Sequence, residues 1–536
     1  MDFAVAYNAE YYDPTTWDRD LALIRDAGIK RIRFAEFAWA MMEPAEGNFD
    51  FSVIEAIVEK AAEYGIDSIL CTPTACPPIW LSEGYPIYPE SIDGRISSPG
   101  SRQQRCYNSE DYLRFSYRIV ERMAKHFSSN PHVVAWQIDN ELCGEQKKCY
   151  CHRCRAAFGR WLEEKYGTID ELNRRWGTQF WSQTYQHFEQ IPTPKHFASD
   201  LSLWHNPAIN LDFVRFSSDS IIRFSDAQYD IIRRYTDVPI TTNTDDFYFG
   251  DTLDLYKLFA HLDVAGIDVY TNDPVKIGFY SDFMRSVKPQ VPRFWFLEFS
   301  DHPKNGKEMF RVAEQKGAEW MEIYKFRPYP WGQEQSEEAM INRFGRPTPG
   351  YYEVREYIRD GRPHPVKAPE AALVYNFDSS WAYHAKSMLF PGDFGPKGNA
   401  LTYPNYMEHT VYPALYAQYE TVAIVNDDFD FSPYKLLVAP RHIVWSEDFE
   451  QAVISFAEQG GTFLCDTDIF KKDGENAYLE IQPRLLTEVL GLPADMPVSD
   501  AEFTVPREVT FGKGRVVMVG RDLTAEDWRG LIQKYR

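Results

Sequence analysis

The chain predicts an α/β protein: a (β/α)8 TIM barrel, then an open α/β domain, then a small C-terminal β segment. Three observations carry that expectation. From residue 1 to about 362, short apolar runs alternate with longer amphipathic ones in eight strand-and-helix units. Two of the runs, Val133 to Trp136 and Phe294 to Leu297, break into carboxylates at Asp139, Glu141 and Glu298, as a strand buried on both faces does where it surfaces into a cleft. Around Gly361-Arg362-Pro363-His364-Pro365 the turn residues thicken, and a new α/β pattern starts at Ala371.

The eight strands are expected at Phe3 to Tyr7, Arg31 to Phe37, Ser68 to Pro73, Val133 to Asp139, Pro239 to Thr242, Val264 to Tyr270, Arg293 to Leu297 and Trp320 to Phe326. Helical periodicity follows, for example at Trp17 to Ala27, Val53 to Tyr64, Tyr112 to Phe127, Leu211 to Tyr235 and Tyr351 to Arg359. Barrels of this kind carry their chemistry at the carboxyl ends of the strands. Glu141 follows the fourth strand and Glu298 the seventh.

Beyond the boundary, Ala371 to Tyr375, Thr421 to Val425, Lys435 to Ala439 and Thr462 to Cys465 read as strands, with helices near Tyr406 to Tyr419 and Glu447 to Glu458. This is the pattern of an open, mainly parallel sheet, flavodoxin-like or glutamine-amidotransferase-like. After about Asp495 a hairpin is expected, Glu502 to Val509 and Arg515 to Val519 around Gly512-Lys513-Gly514, closed by a short helix. The domains are therefore 1–365, 366–495 and 496–536.

A net charge of -22 repels phosphate backbones and argues against nucleic acid as a partner. Aromatic residues make up 15% of the chain, more than a core alone requires, and sugars stack on such rings. Asp2 to Tyr7 already reads as a strand, which leaves no room for a signal peptide, and no apolar run reaches membrane-spanning length. A soluble, cytoplasmic protein that does not engage the membrane is expected.

Eight cysteines occur, and Cys149, Cys151 and Cys154 crowd together in the manner of a metal site. With Cys106 as a fourth thiolate they can close a tetrahedral Zn2+ shell, which has no open position for water and is therefore structural. Cys71, Cys76, Cys143 and Cys465 read as packing residues.

A carboxylate at the end of a doubly buried strand must be desolvated, a cost that folding alone gives no reason to accept. Glycoside hydrolysis gives one: one carboxyl protonates the leaving oxygen while the other stays ionised near the anomeric carbon. Glu141 and Glu298 can divide those roles.

Arg31-Ile-Arg-Phe-Ala-Glu-Phe-Ala-Trp39 before Glu43-Pro44, Thr72-Pro-Thr-Ala-Cys-Pro-Pro-Ile-Trp-Leu81, Gln137-Ile-Asp-Asn-Glu141, Cys149-Tyr-Cys-His-Arg-Cys154 and Asn173-Arg-Arg-Trp-Gly-Thr178 with Phe180-Trp-Ser-Gln183 together resemble glycoside hydrolase family 42 over nearly the whole chain. The resemblance implies a retaining exo-β-glycosidase, a β-galactosidase acting on small oligosaccharides and assembled as a homotrimer through the second domain. It makes Glu141 the acid/base and Glu298 the nucleophile, with Asn140 on the sugar's 2-hydroxyl and Arg102 steadying Glu298. Trp181, Tyr270 and Glu334 match sugar-binding positions. Two departures stand out. Glu337 occupies a position where the family has His, and the loop from Phe299 to Gly306 is short and lacks the family's Trp, with His302 as a partial substitute. Both bear on the sugar subsite. An α-L-arabinopyranoside, β-D-fucoside, β-glucoside or β-mannoside is the alternative substrate, and a sugar-binding protein without catalysis the remote one.

Overall fold

The computed structural model describes residues 1–145, 147–196, 205–246, 250, 252–300, 306–361, 364–384, 402–496, 506–521 and 523–536. The first sheet contains β1 (Asp2–Ala6), β2 (Arg31–Phe34), β3 (Asp67–Cys71), β4 (Val133–Gln137), β5 (Ile240–Thr241), β6 (Thr244–Asp245), β7 (Ala265–Val269), β8 (Phe294–Ser300) and β9 (Trp320–Tyr324). All its pairings are parallel, in the order β5-β4-β3-β2-β1-β9-β8-β7-β6. β5 and β6 are two halves of one strand. Ile240 and Thr241 pair with β4, and Thr244 and Asp245 pair with β7, so residues 240–245 join the two edges and close an eight-stranded barrel.

Threonine hydroxyls reinforce this seam. Thr242 Oγ1 donates to the Ile138 carbonyl at 2.7 Å and Thr241 Oγ1 to the Val264 carbonyl at 2.9 Å. Gly266 is required beside it, because a Cβ there would lie 2.3 Å from the Thr242 carbonyl oxygen and 2.4 Å from Leu297 Cδ1. The barrel interior is packed by Ala4, Ile69, Ala135, Val264, Trp295 and Leu297, with Trp295 stacked 3.7 Å from Trp320. Helices at Trp17–Asp26, Ser52–Glu63, Glu110–Phe127, Pro207–Arg233 and Pro349–Asp360 fall where the periodicity places them.

The second sheet contains β10 (Ala371–Val374), β11 (Ala423–Val425), β12 (Leu436–Ala439), β13 (Thr462–Asp466), β14 (Arg507–Phe511) and β15 (Gly514–Val519), in the order β11-β10-β12-β13-β15-β14. Only β14 runs antiparallel. Two expectations are corrected here. The hairpin is not a separate C-terminal segment, because β15 pairs along its length with β13 (Thr462 opposite Arg515 through Asp466 opposite Val519) and extends the same sheet; residues 502–505 of the expected first strand lie outside the described residues. The barrel also does not hold all of 1–365, since Tyr150–Ser217 and Gly250–Asp254 cluster with the second unit. A buried polar network explains the first of these within that unit. Asp212 accepts from Tyr166 Oη and Lys165 Nζ, both at 2.6 Å, and from Arg215 Nη1 at 2.8 Å, while Arg215 also grips Asp378 at 2.8 Å. Arg175 reaches Glu475 at 2.5 Å. Carboxylates this deeply buried need such partners.

No helix among the described residues is long and apolar enough to cross a membrane.

Candidate active site

After β4 the backbone bends sharply. Asp139, Glu141 and Cys143 have φ of 57°, 45° and 73°, a conformation that side chains disfavour and that a dense set of hydrogen bonds enforces. The Asp139 N–H donates to Thr72 Oγ1 at 2.8 Å, and the Glu141 N–H donates to Asn243 Oδ1 at 2.8 Å. Gln103 Nε2 donates to the carbonyls of Asn140 and Glu141, both at 2.9 Å. Asp139 itself accepts from Arg105 Nη2 at 2.7 Å and Thr74 Oγ1 at 2.5 Å. The outcome is a buried Glu141 side chain aimed back over the barrel.

Glu298 reaches the same place from β8. It lies within the strand rather than after it, opposite Asp268 of β7. Glu141, Asp268 and Glu298 each bring one carboxylate oxygen within 4.8 Å of the others. Arg33 of β2 is the cation at the barrel's centre. It donates to Glu298 Oε1 at 2.7 Å, Glu322 Oε1 at 2.5 Å, Asn140 Oδ1 at 3.4 Å and Glu36 Oε1 at 3.5 Å. Tyr270 donates its hydroxyl to Glu298 Oε2, and Asn140 Nδ2 to Glu141 Oε2 at 3.2 Å.

One expectation changes. Arg102 makes its direct contact with Glu141 and favours the ionised form of Glu298 only by its charge from farther off. Its Nη1 lies 2.8 Å from Glu141 Oε2 and its Nε 3.0 Å from Glu145, because the loop after β3 stands over the end of β4. The direct partner of Glu298 is Arg33, an inward-facing strand residue that the family motif contained and that strand alternation pointed inward. Asp268 too escapes the reading of the sequence, although alternation puts it on the face of Tyr270, two residues on. Asn243 left no sequence signal, since its strand is too short to show a period.

Burial and the neighbouring Glu298 charge push the Glu141 carboxyl up to about 8, against the pull of Arg102. Burial also raises Glu298, opposed by Arg33 and by the Tyr270 hydrogen bond.

A cavity of about 430 Å3 opens beside Arg102, with Tyr11, Phe37, Tyr329 and Trp331 as aromatic wall and Glu334 on its polar side. Glu334 accepts from the Tyr324 hydroxyl and stands 3.9 Å from Arg102. Glu337 is exposed and pairs with Arg343 at 3.2 Å. Trp181 is 69% exposed in the second unit, its ring tilted at 32° to that of Phe180 with centroids 5.0 Å apart. His302 lies outside the described residues. The sulfurs of Cys106, Cys149, Cys151 and Cys154 all lie within 4.8 Å of one another, and none is in a disulfide. Four thiolates at the ~2.3 Å Zn–S distance stand about 3.8 Å apart, so the group fits a tetrahedral zinc. The N–H groups of Glu90 and Asn108 donate to Cys149 and Cys106, each at 3.4 Å, and so favour the thiolate form.

Comparison with known proteins settles the family. The model of glycoside hydrolase family 42, described as beta-galactosidase, matches residues 6–362. The chain belongs to glycoside hydrolase family 42. The family's beta-galactosidase trimerisation domain matches 369–532, which runs through the C-terminal hairpin, as the continuous second sheet requires. Among its relatives, beta-galactosidase Bga of Halorubrum lacusprofundi is 32% identical over 92% of this chain and 74% of its own length. Beta-galactosidase BgaH of Haloferax lucentense is 30% identical over 92% and 76%. The solved beta-galactosidase from Halorubrum lacusprofundi superposes with a TM-score of 0.89 at 29% identity, covering all of this chain and 89% of that one. This family 42 member is accordingly a glycoside hydrolase.

Proposed function

We propose that the protein is a retaining exo-β-galactosidase that removes terminal β-galactosyl residues from small oligosaccharides. The single observation that carries this reading is the approach of the Glu141 and Glu298 carboxylates to within 4.8 Å. Direct attack by one carboxylate needs a spacing of about 5 Å, whereas inversion needs about 6.5 Å or more to seat a water. The relatives' names favour galactose.

In the first step Glu298 attacks the anomeric carbon while Glu141 gives its proton to the departing glycosidic oxygen, leaving a glycosyl ester on Glu298. In the second, Glu141 takes a proton from water, whose oxygen displaces Glu298 and restores both groups. The electrostatics suit this division: Glu141 holds its proton at neutral pH, while Arg33 and Tyr270 donate to Glu298 and favour its ionised form. Asn140 lies beside Glu141 to meet the 2-hydroxyl, and Glu334 lies on the cavity wall to accept from sugar hydroxyls. Trp331, from the chain beyond β9, supplies an aromatic face to the cavity wall. Cys106, Cys149, Cys151 and Cys154 would hold a structural zinc that fixes the chain beyond Glu141 and leaves no position for reacting water. The trimerisation family of the second unit supports a homotrimer.

The alternative, another sugar with the same mechanism, is favoured by Glu337, which faces Arg343 in solvent where the family has His. A panel of nitrophenyl glycosides, with Glu298→Ala as control, tests both readings. Preference for the β-galactoside, lost in the control, is expected. Preference for the arabinopyranoside, fucoside, glucoside or mannoside would replace the sugar and keep the mechanism. Turnover unchanged in Glu298→Ala would overturn the nucleophile.

A further inference from the structure

Asn243 stands between the two catalytic strands with every side-chain hydrogen bond made. Its Oδ1 accepts from the Glu141 N–H at 2.8 Å and from Gln137 Nε2 at 3.0 Å; its Nδ2 donates to Asn140 Oδ1 at 3.2 Å and to Asp268 Oδ2 at 2.6 Å. Both Asn243 and Asp268 are fully buried. An amide is nearly symmetric in shape, so packing alone cannot decide which end faces Glu141. If it were reversed, an NH2 group would confront the Glu141 N–H, and two donors would meet in a dry site. The Glu141 N–H settles the matter, because a backbone N–H held at a φ of 45° only donates and therefore claims Oδ1. That leaves the NH2 end for Asp268 Oδ2, which accepts from it at 2.6 Å although burial and the nearby Glu298 and Glu141 charges hold the Asp268 carboxyl well above the usual range. The same amide then donates to Asn140 Oδ1, which turns Asn140 Nδ2 toward Glu141.

We propose that Asn243, held through its NH2 group by Asp268, is a positioning residue that aims the acid/base Glu141 and the sugar-binding amide of Asn140. This rests on the assignment of Glu141 as acid/base. The relay connects β7 to the end of β4 through a side chain at the barrel's seam. Asp268 also stands in register with Glu298, so one carboxyl abuts the nucleophile's strand while holding the amide that aims the acid.

The test compares two galactosides that differ only in their need for a proton. A phenoxide leaves poorly without acid help, whereas a dinitrophenoxide leaves unaided. A general acid contributes about 10²–10⁴-fold where it is needed. Asn243→Ala is expected to lose about 10- to 100-fold in kcat/KM on phenyl galactoside and less than about threefold on dinitrophenyl galactoside. Asp268→Leu, which roughly keeps volume but removes the acceptor of the Asn243 NH2 group, should show the same split, and it carries the test where Asn243→Ala does not fold. Equal loss on both substrates, or loss on neither, would overturn the proposal, since mere loosening of the barrel would not discriminate leaving groups. Glu141→Ala is run alongside. If Glu141→Ala shows no split, the acid/base assignment itself falls and this proposal with it; if it does and the Asn243 and Asp268 variants do not, only the positioning role falls.

Discussion

Arg102 Nη1 stands 2.8 Å from Glu141 Oε2 over the mouth of the barrel, and its charge lowers the affinity of the acid for its proton. Catalysis by the proposed route needs Glu141 protonated on entry. kcat/KM is therefore expected to hold steady through neutral pH and to fall as pH rises past about 8. Removing the cation makes the Glu141 carboxylate costlier and the proton harder to lose. Arg102→Met should move the basic limb to higher pH, and a pH–rate profile checks the direction. An unmoved limb would place the titration on another group.

Arg33 is fully buried and faces Glu298, Glu322 and Glu36 together. Arg33→Met leaves these carboxyls without their cation, which for a buried charge cluster costs about 3–5 kcal/mol. Thermal unfolding should report a loss of that order, and turnover should fall with it as Glu298 takes up a proton. Arg33→Lys is expected to rescue little, because an ammonium cannot span three carboxylates as the planar fork does.

Trp331 is 61% exposed on the cavity wall. Replacing it with Ala should raise KM by roughly five- to tenfold, the value of about 1 kcal/mol of stacking, while changing kcat little. A loss confined to kcat would remove Trp331 from substrate binding.

Chelation should strip zinc from the four cysteines, expose their thiols to titration and lower Tm by about 5 °C, the effect of ~2 kcal/mol in a domain of this size. Elemental analysis of the purified protein gives the stoichiometry. Protein free of zinc with an unchanged melt would exclude the structural role.

Much of this site was legible because buried parallel strands are monotonously apolar, so a carboxylate at their end stands out; Glu141 and Glu298 did so, and four crowded cysteines did too. Partner choice was not legible. Whether Arg102 meets Glu141 or Glu298 depends on how far a loop leans, which no local pattern encodes. Asn243 is invisible for another reason: six residues shared between two pairings are too few for alternation to show. In the sequence the hairpin reads as a separate unit because β13 and β15 lie some fifty residues apart in the chain, and only the ladder reveals them as neighbours.

The divided fifth strand has a consequence of its own. Its two ladders grip opposite neighbours and leave Thr242 and Asn243 between them, so the ring is fastened there as by a clasp, with threonine hydroxyls for stitches. A clasp tolerates no padding. Gly266→Ala, which would push a methyl against the Thr242 carbonyl, is expected to cost about 1–3 kcal/mol and to loosen the fastening first, with amides of 240–245 exchanging with deuterium ahead of the other strands. The residue proposed to aim the acid therefore sits at the barrel's point of least backbone redundancy, and wear at that joint would blunt catalysis before the fold itself came apart.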